Sequence, residues 1–172
     1  MTTKLNADTV VGGAVVTGDA SGILELQASG NAVITLNPNN ATFNKTLLET
    51  ATVTAAAPSA TQNYDAITQQ VQYFTTSAAN NWTLNVRGSA TVSLNTLMTT
   101  GQSLTIAVLT TQGATAYYQS ALTIDSVSVT PKWQGGTAPT SGNASSVDAY
   151  VLTIIKTGSA TFSAFASQTK FA

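Results

Sequence analysis

In NNWTLNVRGS, residues 80–89, apolar and polar side chains alternate strictly. Trp82, Leu84 and Val86 point one way, and Thr83, Asn85 and Arg87 point the other. A period of two is the signature of a half-buried strand and is useless to a helix, which needs 3.6. The pattern recurs along the chain, and each run is soon cut by a cluster of Gly, Asn, Asp, Ser or Pro. Strands this short can bury apolar surface only by stacking into sheets that share a core. Alternating strands and helices are missing, so a parallel α/β fold is not expected.

The runs fall into two groups. Residues 8–37, DTVVGGAVVTGDASGILELQASGNAVITLN, read as small hairpins with turns at Gly12-Gly13, 18–22 and Ser29-Gly30-Asn31. Leu24 and Leu26 share a face, as do Ala32, Ile34 and Leu36. Two such hairpins are marginal alone and call for a partner surface. Residues 37–63 change character: Asn, Pro, Ala and Thr dominate, TLLETATVTA fits a strand or a helix equally, and Pro58-Ser59 breaks the run. From residue 64 the strand runs are VQYFTT, NNWTLNVRGS, SLTIAVLTT, ATAYYQ, SALTID, SVSVT, AYVLTIIKT and ATFSAFAS. One exception is SLNTLMTTG, where Leu94, Leu97 and Met98 recur at helical spacing and Gly101 marks an end. The expected fold is all-β. It comprises a C-terminal two-sheet β-sandwich, jelly-roll-like, over 61–172, and an N-terminal β-hairpin arm and connector over 1–60.

The chain's chemistry is restricted by what it lacks. It contains no histidine and no cysteine, which removes disulfides, thiol nucleophiles and zinc sites built on those ligands. Only 8% of its 172 residues are charged, against about 25% in an ordinary domain. The six basic residues are scattered, so no patch could neutralise a run of phosphates, and nucleic acid is not an expected partner. The longest later apolar run, IAVL at 106–109, is far too short to span a bilayer, and the VVGGAVV segment at 10–16, bracketed by Asp8 and Asp19, does not fit a secretion signal. A surface so poor in charge has weak protection against self-association and reads as one covered by neighbours.

No catalytic, cofactor-binding or metal-ligating residue is assigned, and the expectation is that the chain is not an enzyme. The competing reading is a carbohydrate-active enzyme, in which Asp65, Asp125 and Asp148 meet in space. All three stand at strand-to-turn junctions, where Asp ordinarily bonds nearby backbone. Four Asn-x-Ser/Thr triplets, at Asn40, Asn44, Asn81 and Asn143, are expected by chance in so threonine-rich a chain.

The contact candidates are Trp133, Lys132, Tyr117 and Tyr118. SVTPKWQGGTAPTSGN leaves a strand at Pro131, which cannot donate to a ladder, and enters a long loop. Trp133 has three readings: a plug folded over the end of the sandwich, an anchor at a subunit or partner interface, or a stacking platform for sugar shared with the two tyrosines. Tyr117 and Tyr118, as neighbours in a strand, would face opposite sides of the sheet, one in the core and one exposed.

Several stretches carry a resemblance together: NYDAITQQVQYFTT, NNWTLNVRGS, LMTTGQSLTIAVLTTQGATAYY, SVTPKWQGGTAPTSGNASSVDAY and IIKTGSATFSAFASQTKFA. They resemble virion structural proteins of tailed bacteriophages, especially marine and cyanobacterial ones, across roughly 61–172. The N-terminal LNADTVVGG and GILELQASGN are similar to short repeats of phage fibre and decoration proteins. The resemblance implies a non-enzymatic virion protein, made in the host cytoplasm and carried on the particle. The leading expectation is a capsid decoration or cement protein, a homotrimer bound to the major capsid protein or other virion proteins by multivalent contacts. The alternative is a short tail or head fibre whose tip binds a host surface glycan. Neither reading involves a cofactor, nucleic acid or a membrane.

Overall fold

The computed structural model describes residues 23–172. The hairpins expected before residue 23 lie outside the described residues. The chain is mostly β and forms several sheets in two compact units, Met1–Leu48 and Glu49–Ala172.

In the first unit, β1 (Leu24–Ala28), β2 (Asn31–Asn37) and β3 (Asn40–Phe43) form an antiparallel meander. The β1–β2 turn is Ser29-Gly30, both at positive φ, the twist that suits a two-residue hairpin loop. At the β2–β3 turn, the Asn37 side-chain oxygen accepts from the Asn39 and Asn40 backbone N–H groups. The register sets Leu24 beside Leu36 and Leu26 beside Ile34, and Ile34 beside Phe43. One face of the meander is therefore apolar, as the alternation requires, and Leu26 and Phe43 on it are exposed.

The second unit begins earlier than the expected 61, because Ala51–Thr54 is a strand of its larger sheet. In chain order its elements are β4 (Ala51–Thr54), β5 (Thr61–Asp65), β6 (Val71–Phe74), β7 (Trp82–Arg87), α1 (Leu94–Leu97), β8 (Ser103–Thr111), β9 (Gln119–Ile124), β10 (Val127–Val129), β11 (Lys132–Trp133), β12 (Val147–Gly158) and β13 (Thr161–Phe171). A four-stranded sheet runs β10-β9-β7-β5, and a six-stranded sheet runs β11-β13-β12-β8-β6-β4. Leu84, Val86, Leu122 and Ile124 of the first and Ile106, Val108, Leu152 and Ile154 of the second share one buried cluster.

From β4 to β9 successive strands belong alternately to the two sheets. Neighbours within a sheet are thus two strands apart in the chain, and they run parallel. A parallel pair needs a crossover, usually a helix. Here a strand of the other sheet serves as the crossover, which is why parallel pairing occurs without the βα alternation that normally announces it. The sheets are consequently mixed, a departure from the antiparallel hairpins of a jelly roll. The second half returns to hairpins, β9–β10 and the long β12–β13 pair.

The two outward faces differ in kind. On the four-stranded sheet, Asp65 meets Arg87 at 2.6 Å. Beside that pair, Asn85 donates to Asn63 and accepts from Thr123. On the six-stranded sheet, cross-strand rows read Val53, Tyr73, Leu109, Ala149, Thr169; then Ala51, Val71, Ala107, Val151, Ser167; then Thr105, Thr153, Phe165, Lys132. Within those three rows the one charged side chain is Lys132, on the outermost strand.

Candidate functional site

The sequence-predicted contact residues divide between two places. Lys132 and Trp133 form β11, with Lys132 opposite Phe165 and Trp133 opposite Ala166 on β13. Pro131 sits where the chain leaves β10, the edge of one sheet, and starts β11, the edge of the other. With no N–H to offer a ladder, Pro131 ends the first pairing and allows the crossing. Trp133 turns inward, half-buried against the core cluster. It therefore covers a lateral edge of the six-stranded sheet instead of plugging an end between the sheets, because β11 pairs with β13 and fixes the indole there. Lys132 turns outward, its Nζ 5.5 Å from the Phe165 ring centroid.

Three open depressions surround Trp133, with volumes of about 320, 260 and 400 Å3. The first lies on the outward face and is lined by Val151, Thr153 and Phe165. The second sets the indole beside Gln134, Thr137 and Gln168. The third follows Thr130, Pro131 and Ala138. Tyr117 and Tyr118 line none of the three.

The tyrosines are not in a strand. They occupy the coil before β9, and both are half-buried against the core, so the expected one-in, one-out placement does not hold. The reason is Gln112. Its side-chain oxygen accepts from Tyr117 N–H at 2.9 Å, and its amide donates to Tyr117 C=O at 2.8 Å. One side chain thus satisfies the backbone that a neighbouring strand would otherwise have to pair.

The three aspartates of the enzymatic reading each serve structural bonds. Asp65 holds Arg87. Asp125, in the β9–β10 turn, accepts from Leu94 N–H at 2.7 Å and Asn95 N–H at 2.9 Å, capping α1 from outside the helix. The other end of α1 is met by buried Lys156, which donates to the carbonyls of Asn95 and Met98. Asp148 is fully buried and accepts from the Asn143 backbone and side chain and from Gln168. On β12, Asp148 and Lys156 stand eight positions apart, roughly 26 Å at about 3.3 Å per residue. Asp125, at the α1 end, and Asp148 therefore cannot flank one glycosidic bond, which needs under about 10 Å.

None of this buried polar framework was legible from spacing: Asp125 reaches back thirty-odd residues to α1, as does Lys156 over a longer span. Among the described residues no group of three or more His, Cys, Asp or Glu is gathered to hold a metal ion, and no helix is long and apolar enough to cross a membrane. The chain matches no family model, no curated protein and no solved structure.

Proposed function

We propose that the chain is a non-enzymatic structural component of a phage particle, a head decoration or cement protein whose second unit is a two-sheet β-sandwich. The observation that carries this reading is the Trp133 corner. An indole locked on an edge strand, flanked by Lys132 and Phe165 and bordered by open depressions, is a ledge for a protein surface and not an enclosed pocket for a reacting molecule. The charge-poor composition and the resemblance of 61–172 to virion proteins support it. The apolar face of the β1–β3 meander gives the N-terminal unit a surface with which to dock on the particle.

Quantitative mass spectrometry and imaging of the particle test the proposal. Copy number should match a multiple of the head lattice, and Trp133→Ala should lower occupancy without unfolding the chain. A handful of copies at one vertex would refute decoration.

A second reading has one observation in its favour. The depression beside Gln134, Thr137 and Gln168 combines an aromatic side chain with hydrogen-bonding groups, the chemistry that holds a sugar. A fibre tip of this kind would retain glycans on an array and lose them with Trp133→Ala.

A further inference from the structure

We propose that the outward face of the six-stranded sheet is a self-association surface, on which a second copy of this chain packs face to face. The inference stands on this face alone and is independent of any role on a particle.

The contrast between the two outward faces is its starting point. The four-stranded sheet turns polar groups outward: a part-exposed Asp–Arg pair, and Asn63 and Thr123 bonded to a buried Asn85. The six-stranded sheet shows aliphatic rows crossed by hydroxyls. Strand alternation ordinarily places polar residues on the face away from the core. Here both faces of β12 and β8 are apolar at their centres: Leu152 and Ile106 inside, Val151 and Ala107 outside. A sheet apolar on both sides is built to be covered on both sides.

The chemistry of the cover follows from the charge. A charged partner would find no counter-charge, since Lys132, the single charge in the three rows, lies at the rim over Phe165 of its own chain. An identical copy meets no like-charge opposition, and its valines, threonines and aromatics are of the same kind. The size also fits. The three rows hold fourteen positions, each about 4.8 Å by 7 Å, or roughly 470 Å2 per copy. Doubled, that is about 900 Å2, the size of a weak, reversible interface.

A two-fold axis parallel to the strands, between β8 and β12, makes the contact isologous. It brings the β4 edge of one copy over the β11–β13 edge of the other. Val53 protrudes from β4 at 65% exposure, and the depression of about 320 Å3 beside Phe165 and Val151 opens on the opposite edge. Such sheets pack about 10 Å apart at an angle near −30°. The pairing is two-fold, unlike the three-fold cluster expected from the sequence.

The test is the mass of the full chain in solution, by light scattering and sedimentation equilibrium. At about 100 µM, a dimer in reversible equilibrium with monomer is expected. Val151→Asp places carboxylates in the centre of the joint and should raise the dimer Kd at least about 100-fold. Its circular dichroism and melting should stay native, since Val151 is exposed in the single chain. Thr61→Asp, on the outward side of the four-stranded sheet, should leave the dimer intact. A chain that stays monomeric, a trimer, or a Val151→Asp variant that dimerises as tightly as the parent each overturns the proposal. So does a monomer in which hydrogen exchange finds this face protected by the chain's own N-terminal residues.

Discussion

Trp82 stands edge-on to Tyr150, ring centroids 5.5 Å apart and planes at 85°. One ring comes from β7 of the four-stranded sheet and the other from β12 of the six-stranded sheet, and neither is more than 1% exposed. The pair joins the two layers in the edge-to-face geometry that ring quadrupoles favour. Trp82→Ala should cost about 3–5 kcal/mol in urea unfolding. Trp82→Phe should cost much less. It keeps a ring and removes the indole N–H, a buried donor with no partner whose loss returns roughly 1–3 kcal/mol.

Two substitutions in the β9–β10 turn should act in opposite directions. Asp125 and Ser126 both have positive φ, and the turn is held by Asp125 N–H to Val86 C=O and Ser126 N–H to the Asn85 side chain. Asp125→Ala strips two bonds from the start of α1 and should destabilise by about 1–2 kcal/mol. Ser126→Gly keeps the backbone bond and relieves a conformation that a Cβ disfavours, so it should raise stability by up to about 1 kcal/mol. Thermal denaturation of both variants reads the two signs.

Loop 134–146 should depend on Asp148 more than on any other residue. Its carboxylate holds Asn143 by backbone and side chain, and a Cβ on Gly142 would strike the Tyr117 carbonyl oxygen. Asp148→Ala should cost at least about 2 kcal/mol, leaving buried donors unmet. Gly142→Ala should loosen the same loop by pushing it off Tyr117. Hydrogen exchange confined to 137–146 would register both changes before global unfolding does.

Alkaline stability should fall from a definite starting point. Burial, with the charge of Glu49, pushes the Tyr64 hydroxyl well above the ordinary 10.0. Burial does the same for Tyr150, opposed by a backbone hydrogen bond from Gln119 and aided by the charges of Asp148 and Tyr118. A group whose value is raised on folding keeps its proton longer in the folded chain. Its contribution is complete below pH 10.0 and is lost as the pH climbs toward the folded value. Unfolding free energy should be flat up to near pH 10 and then drop by up to about 1.4 kcal/mol per pH unit for each tyrosine. Tyr64→Phe and Tyr150→Phe together should flatten that slope.

Sequence pattern and structure agree where a residue's side is set by its strand alone. Trp82, Leu84 and Val86 are buried and Thr83 and Arg87 are not, as the alternation dictates. The short helical turn at Leu94–Leu97 follows its spacing and is capped by Ser93. What the pattern could not carry is which sheet a strand joins. Alternation in β5 and β6 is alike, yet they sit in different layers, so the parallel neighbours were hidden. Ala51–Thr54 was ambiguous because its pattern is reversed: the outward Ala51 and Val53 are apolar, while the inward Thr52 and Thr54 are polar. The place of Trp133 on an edge was set by a two-residue pairing too short to leave a period. Tyr117 and Tyr118 look like a strand because side chains substitute for ladder partners: Gln112 bonds both backbone groups of Tyr117, and the Asn81 side chain accepts from Tyr118 N–H.

The lacing of β4 to β9 back and forth between layers has a kinetic corollary. No stretch of that half can zip up with its immediate successor, so ring closure must precede every contact that rewards it. Refolding should then be slow and concerted, in the manner of high contact order. Peeling either layer away would require unthreading its mate, stitch by stitch.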